Sequence, residues 1–494
     1  MSGGRTGLLG MSRTLLADRN IRVLAVTGLI SGVYVGMLNG VLQLFPASLG
    51  FGVATLGILQ AVGNRFSGIA ASIAQPIAGH LSDIHGRKVM IVVGSVTTIL
   101  SMALFIAAAL TASWACIFAA FFIFGVSVLG SPPSQAMVAE SVGLDTSKMN
   151  IAYSVVFLLS SIPGVVTPYL AGVMAGSYGY VVIFLAAALL ESVDLFLYLK
   201  ELYETRLVAE PGQGPAPSEF SLRQSFSIPR GSWGYFTALA MDAFAFGITT
   251  NIIYAMVQAK FVYSDAQIGV IVSVLSLATI FTQYPATKLL LVLGGRRTIA
   301  FSEALGTALM AGWAVSGSFP AFLLLSVVFG ASVSTWVPAV QSLVMANSPE
   351  HERGGIGGKV AAVRGLVAFP APIIGGFLYQ SLGYEAPIIV SAAGTAITVV
   401  LLLKFVPERP EGVYVEMKAG AARRSTGLGT GLQKGRYSLH VSRLPVRDHP
   451  RTPSDYCADN CNNPDFACLD LPIQESRWRV PTRPANPASL KSNP

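Results

Sequence analysis

Three ionisable side chains, Arg65, Asp242 and Arg364, stand inside long apolar runs, where a charge needs a reason. At 1.5 Å per residue, Arg65 lies roughly 16 Å from the near end of its run, and Asp242 and Arg364 each lie roughly 14 Å from theirs. An ionisable group that deep in hydrocarbon costs about 2.5–3.5 kcal/mol on insertion scales, so each must face other helices or a water-filled cavity. The guanidiniums of Arg65 and Arg364 can hold an anion, and the Asp242 carboxylate can take up a proton or bind a cation. The same residues also allow a plainer arrangement, an Asp242–Arg364 ion pair at matched depth with Arg65 capping neighbouring carbonyls. Tyr34, Asn39, Thr249, Asn251, Gln283 and Trp336 lie deep in the same set of runs and complete a candidate cavity. Each of these polar groups can equally serve helix packing alone.

A second cluster is outside the apolar runs. Gly79-His80-Leu81-Ser82-Asp83-Ile84-His85-Gly86-Arg87-Lys88 places a turn, an acid and two bases between two runs that are otherwise almost uncharged. Gly86 permits a tight turn, and Gly79 would let a neighbouring helix approach closely. Asp83 would be stabilised by the amides of a facing helix N-terminus, and Gly354-Gly355-Ile356-Gly357-Gly358 offers unobstructed amides of that kind.

The elements that must position these residues are membrane helices. Mean hydropathy is +0.60, 52% of residues are hydrophobic and only 12% are charged, which excludes an ordinary soluble domain. Lipid cannot satisfy backbone groups, so apolar runs of about 20 residues must be helices. Twelve are read, at 22–45, 54–82, 88–111, 114–138, 150–175, 179–200, 233–258, 265–291, 298–316, 319–345, 356–380 and 384–406. Pro163, Gly164 and Pro168 should kink the fifth, and Pro370, Pro372, Gly375 and Gly376 the eleventh. Lys and Arg cluster at the N-terminus and in alternate loops, whereas the opposite loops offer only Lys260, so both termini are placed in the cytoplasm.

The halves repeat. A shift of 209 places Pro76 on Pro285, Gly86 on Gly295, Arg87 on Arg296 and Lys88 on Arg297. A shift of 204 places Pro168 on Pro372, Gly172 on Gly376, and Ser177, Gly179 and Tyr180 on Ser381, Gly383 and Tyr384. The expected fold is therefore an all-α membrane protein of twelve transmembrane helices in two pseudo-symmetric six-helix bundles, with a binding site between them. Its parts are a cytoplasmic N-terminus (1–21), a bundle (22–200), a polar linker rich in Pro and Gly (201–232), a second bundle (233–406) and a tail expected to be disordered (407–494). Residues 418–494 hold twelve Lys/Arg and six Asp/Glu, hence +6 of the chain's +8, so the basic balance points to topology and tail rather than to nucleic acid. Cys457, Cys461, Cys468 and His449 match no metal-site spacing, the four cysteines give no disulfide framework, and no cleavable signal peptide is evident.

Two such halves, with the 79–88 sequence between the second and third runs, resemble the major facilitator superfamily, whose signature there is roughly G-x-L-x-D-x-x-G-R-[RK]. Gly79, Leu81, Asp83, Gly86, Arg87 and Lys88 match it, and the resemblance covers about residues 20–406. Pro349-Glu350-His351-Glu352-Arg353-Gly354 is also similar to this family. The resemblance implies a latch in which Asp83 meets the helix start at Gly354 and holds the cytoplasmic side closed, with Arg87 reaching an acid such as Glu140. The second copy has Lys288 and Val292 where Gly79 and Asp83 stand, so it would keep the turn and lose the latch. The resemblance places Glu191, Asp194 and Glu303 on peripheral helices, in structural or interfacial roles. No Arg precedes the Gly-rich stretch of the fourth run, and 162–168 only partly resembles the Gly-Pro-Gly-Gly motif, both departures from the family's drug–proton antiporters.

The expected activity is secondary active transport of a small solute by alternating access, as proton-coupled export or exchange with Asp242 as coupling group. An anion or metabolite uptake carrier centred on Arg65 and Arg364 is the alternative, and a transporter-like receptor or scaffold with a partner on its basic tail is another. No nucleophile–base constellation suggests an enzyme. Partners are then the bilayer, the solute and protons, with no cofactor. A nucleotide is not expected, because Gly354 to Lys359 has the wrong spacing for a phosphate loop and Val360 replaces its Ser or Thr. The expected location is the cell membrane.

Overall fold

The computed structural model describes residues 15–142, 146–205, 226, 228, 233–346 and 353–406. The segment 1–14, most of the linker, and the tail with its Cys and His group lie outside the described residues. Every described element is helical: α1 (Arg19–Ser48), α2 (Val53–Gly63), α3 (Ile69–His85), α4 (Arg87–Thr111), α5 (Trp114–Val126), a 3-10 turn (Ser127–Gly130), α6 (Ser131–Val142), α7 (Thr146–Ser161), a 3-10 turn (Ile162–Val165), α8 (Thr167–Tyr178), α9 (Tyr180–Glu201), α10 (Trp233–Thr250), α11 (Ile253–Phe261), α12 (Asp265–Val315), α13 (Phe319–Ala346), α14 (Arg353–Ala368), α15 (Ala371–Leu382) and α16 (Glu385–Phe405). Ten helical stretches among the described residues are long and apolar enough to cross a bilayer, which makes this a multi-pass membrane protein.

Burial runs opposite to that of a soluble domain. Leu110, Phe281 and Val292 are 72%, 73% and 75% exposed, whereas the carboxyl-bearing Glu191, Asp194, Asp242 and Glu303 are at most 4% exposed. Hydrocarbon outside and a polar interior explain both facts. Behind the lipid-facing surface, the first half packs on aromatic rings. Phe105 stacks on Phe184 with centroids 4.9 Å apart, and Phe45 and Phe121 close on them edge-on.

Several helices break near their middles, and the breaks place the polar residues. Three breaks were not anticipated from the sequence. In α1, Asn39 takes ψ 122° and Gly40 takes φ 85°. The run read as one helix over 54–82 is two, α2 and α3, because Asn64 turns the chain: its Oδ1 accepts from the amides of Phe66 at 2.8 Å and Ser67 at 3.1 Å. That local competition is what side-chain amides do to helices. The third lies at residues 251–252, between α10 and α11. The breaks at Pro163 and Pro370 fall where proline removes a backbone donor.

The duplicated turns can now be compared. Between α3 and α4, Gly86 has φ 99° and ψ 156°; within α12 the matching geometry belongs to Gly294, at φ 78° and ψ 166°. The register that puts Gly86 on Gly295 is therefore one residue too long at the turn itself, since Gly294 is the residue that reverses the chain. Gly179 and Gly383, related by the other shift, both turn at positive φ.

The halves approach each other through glycine. At Gly57 a Cβ would strike the Pro372 carbonyl group, and at Gly376 it would come 2.7 Å from Ala54 Cα, so α2 and α15 touch backbone to backbone. Gly172 against Asp265, and Gly269 at 2.9 Å from Tyr169 Cα, do the same for α8 and α12. All four contacts lie on the side of the helix breaks away from Arg87 and Lys88.

Candidate functional site

Asp242 on α10 and Arg364 on α14 meet in the second half, with Nη2 to Oδ2 at 3.5 Å. Arg364 Nε also donates to the Leu239 carbonyl at 3.2 Å, and its guanidinium lies 4.6 Å from the centre of the Trp336 ring. Glu303, from α12, faces the same group and interacts with both Asp242 and Arg364. The Trp336 indole also lies against the two carboxyls. Among the described residues, however, Glu303 Oε2 and Trp336 Nε1 have no partner in hydrogen-bond geometry. The result is two carboxyls around one guanidinium in a nearly dry setting. One fixed positive charge cannot neutralise two carboxylates there, so the group has capacity for a proton.

In the first half, Arg65 lies in the break between α2 and α3, with its guanidinium 5.2 Å from the centre of the Phe124 ring. Among the described residues it forms no ion pair at salt-bridge distance, although its charge acts on Glu191, Tyr34 and Tyr198. Glu191 Oε1 accepts from Ser95 Oγ at 2.5 Å, and the Tyr34 hydroxyl faces the same carboxyl. Glu191, Asp194 and Glu303 were expected at the periphery; their side chains instead point inward, because the face of α9 that carries the first two packs on α1 and α4. Sequence reasoning under-weighted them. The usable signal was spacing, since Glu191, Asp194 and Tyr198 recur at i, i+3 and i+7 on one helical face.

A polar seam joins the halves where the helices break. Asn64 Nδ2 donates to Asn251 Oδ1 at 3.1 Å, and Asn251 Nδ2 reaches Ser67 Oγ at 3.5 Å. Gln43 donates to the Thr250 carbonyl at 3.0 Å and accepts from the Tyr254 amide at 3.0 Å. Asn64 and Gln43 were not singled out from sequence. Of the remaining cavity candidates, Thr249 is fully buried and donates to the Pro387 carbonyl at 2.9 Å, a packing role. Asn39 is exposed at the α1 break, and Gln283 is half-buried on α12. Neither has a printed side-chain bond to the two charged groups, so the site gathers Tyr34, Arg65, Asn251, Asp242, Trp336 and Arg364 and leaves these three aside. Among the described residues, no three His, Cys, Asp or Glu side chains converge as a metal site.

The 79–88 turn is a separate assembly. Arg87 pairs with Asp83 at 2.7 Å and with Glu140 at 3.0 Å, and donates to Ser82 Oγ at 2.6 Å. Glu204, just past α9, accepts the amides of Arg87 at 2.8 Å and Lys88 at 3.0 Å, capping α4. A Cβ on Gly86 would collide with that carboxylate, so this glycine serves both turn and cap. Nothing among the described residues lies within 4 Å of a Cβ on Gly79, which corrects the expected close approach there. Along α3 and α14 the tight contact is Ser72 against Gly365, one and a half turns or more from Gly79. What Asp83 meets at Gly354–Gly358 lies outside the described residues.

Residues 24–261 and 235–445 match the family described as the Major Facilitator Superfamily. No curated protein matches the chain in sequence. Among solved structures, the fold is similar to the human organic anion transporter MFSD10 (TETRAN), with 17% identity and a TM-score of 0.59 over 78% of this chain and 99% of that one. It is similar to the nucleoside transporter NupG, with 13% identity and a TM-score of 0.60 over 78% and 98% of the two chains. A POT family transporter in complex with 5-aminolevulinic acid gives 12% identity and a TM-score of 0.63 over 79% and 96%. At these identities the likeness is one of fold.

Proposed function

The chain belongs to the Major Facilitator Superfamily, and from that premise we propose that it moves a small solute by alternating access, driven by proton-coupled export or exchange. The supporting observation is the Asp242–Glu303–Arg364 group, which carries two carboxyls against one guanidinium at 3.5 Å from Asp242. Loading and release of a proton there would make or loosen the Arg364 contact that joins α10 to α14. Arg65, at the seam and without an ion pair among the described residues, is the group we assign to an anionic part of the solute. Because Arg364 is already engaged by Asp242, that assignment also favours Arg65 over Arg364 in the anion-carrier alternative.

The proposed architecture is twelve crossings in two bundles, 22–200 and 233–406, joined by the 201–232 linker. Supporting it, α12 has 51 residues, about 75 Å of helix against about 30 Å of hydrocarbon, and turns at Gly294, so it counts twice. The short pair α2 and α3 counts as one more. With basic turns inward, both termini are cytoplasmic in a cell membrane, and the glycine contacts form the outer gate. The latch is assigned to Asp83 and the Gly354 helix start, with Arg87 held in place by Glu140.

The test begins with a thermal-shift screen of the purified protein against drugs, sugars, nucleosides and organic anions. Flux of the stabilising compound is then followed in liposomes with a pH-sensitive dye inside. Asp242→Asn should abolish proton-driven flux and leave folding intact; normal flux under a proton gradient would refute the coupling role.

A further inference from the structure

We propose that α9 carries a proton relay of its own, running from Glu191 through Asp194 to Tyr198, separate from the Asp242 group. The three residues share one face of α9 and span about 10 Å along its axis at 1.5 Å per residue. Asp194 is the decisive member. The residue is 0% exposed, and neither carboxyl oxygen has a hydrogen-bond donor among the described residues. An ionised carboxylate with no donor and no paired cation is far costlier to bury than a neutral carboxyl. A proton on Asp194 removes that cost.

The neighbours are arranged to pass the proton along. From α4, Ser95 donates to Glu191; from α1, Tyr34 faces Glu191, and Thr27 faces Tyr198; from the α2–α3 break, Arg65 supplies the one positive charge acting on the group. Asp194 itself interacts with Glu191 on one side and Tyr198 on the other. In the relay, the Asp194 O–H bond breaks and a new O–H forms on the Glu191 carboxylate. The Asp194 carboxylate then takes the Tyr198 phenol proton while Tyr198 accepts one from water toward the Glu201 end of α9, so no net charge is created on the phenol. Arg65 favours the ionised Glu191, and an anion seated on Arg65 would shift the proton toward Glu191.

The relay needs no identified solute to be tested. The full chain is reconstituted in phosphatidylcholine vesicles, and infrared difference spectra between acidic and alkaline buffers are recorded in H2O and D2O. The wild type should show the carbonyl stretch of a protonated carboxyl that Asp194→Asn removes and Asp242→Asn leaves in place. Glu191→Gln should shift that band without removing it. If Asp194→Asn does not fold, Asp194→Glu should keep a band at a changed frequency. Retention of every carboxyl band in Asp194→Asn, or an unchanged frequency in Asp194→Glu, would overturn the relay. A band lost when sodium replaces choline would overturn it too, making the group a cation site. Because the readout is Asp194 itself, a negative result leaves the Asp242 transport assignment standing.

Discussion

Each half of the chain buries two carboxyls and one arginine, yet it uses the arginine differently. In the second half Arg364 is engaged on three sides, by Asp242, the Leu239 carbonyl and the Trp336 ring. In the first half Arg65 lies over Phe124 and touches its carboxyls only through longer-range charge, while Ser95 and Tyr34 serve Glu191. A guanidinium held by a carboxylate is part of the protein's own charge balance. One held by an aromatic face keeps its five donors for something that arrives. The comparison therefore separates a coupling group from a solute-holding group, although composition makes them look alike.

The sharpest way to break that distinction is to remove each arginine in turn. Arg364→Ala leaves Asp242 and Glu303 buried without their cation and should cost about 3 kcal/mol, the low end for a broken buried pair because the Arg364 side chain keeps 24% exposure. Arg65→Ala loses a ring contact and should cost about 1 kcal/mol or less. Unfolding in detergent, followed by intrinsic fluorescence, compares the two. Equal losses would mean that Arg65 is also structurally paired and is no solute site. The Asp242→Asn, Arg364→Gln double variant should recover most of the Arg364→Ala loss, since it leaves no isolated charge.

The two reversing turns give the next comparison, smaller in effect. Gly294→Ala should destabilise by about 1–3 kcal/mol, because φ 78° with ψ 166° is a region only glycine occupies freely. Gly295→Ala should be mild, since its Cβ would meet nothing closer than 3.4 Å. Thermal melting of the two variants decides the register, and the reverse order would restore the sequence alignment of Gly86 with Gly295.

That one-residue slip shows what the sequence could carry. Pro76 and Pro285 align at a shift of 209 and the Arg pairs follow, but the turn glycines are 208 apart, and a run of two glycines hides which one turns. Hydropathy marked the membrane runs and the charged intruders, because lipid forbids both exceptions. Proline marked two of the helix breaks. The breaks at Asn39–Gly40, 64–68 and 251–252 depended on side-chain amides meeting backbone across a tertiary fold, which hydropathy does not record. The inward aim of Glu191 and Glu303 was equally hidden. A position on a helix says which face a residue shares, and only the neighbouring helices say where that face points.

The smallest test concerns how each turn is tied down. At the first turn the free amides of α4 are held by an acid, Glu204; at the second, Arg296 Nη1 donates to the carbonyl of Val406 at 3.0 Å, just past α16. One turn is thus fixed through its donors and the other through a base that seeks a carbonyl. Glu204→Ala removes a charged cap from two amides and should cost about 1 kcal/mol, the usual price of an N-cap. Because Glu204 begins the segment that leaves α9, the loss should also raise amide hydrogen exchange in Arg87 and Lys88 and in residues 202–205 together. Exchange that rises at Arg87 and Lys88 alone would show that Glu140 and Thr205, bonded at 2.5 Å, hold the segment without the cap.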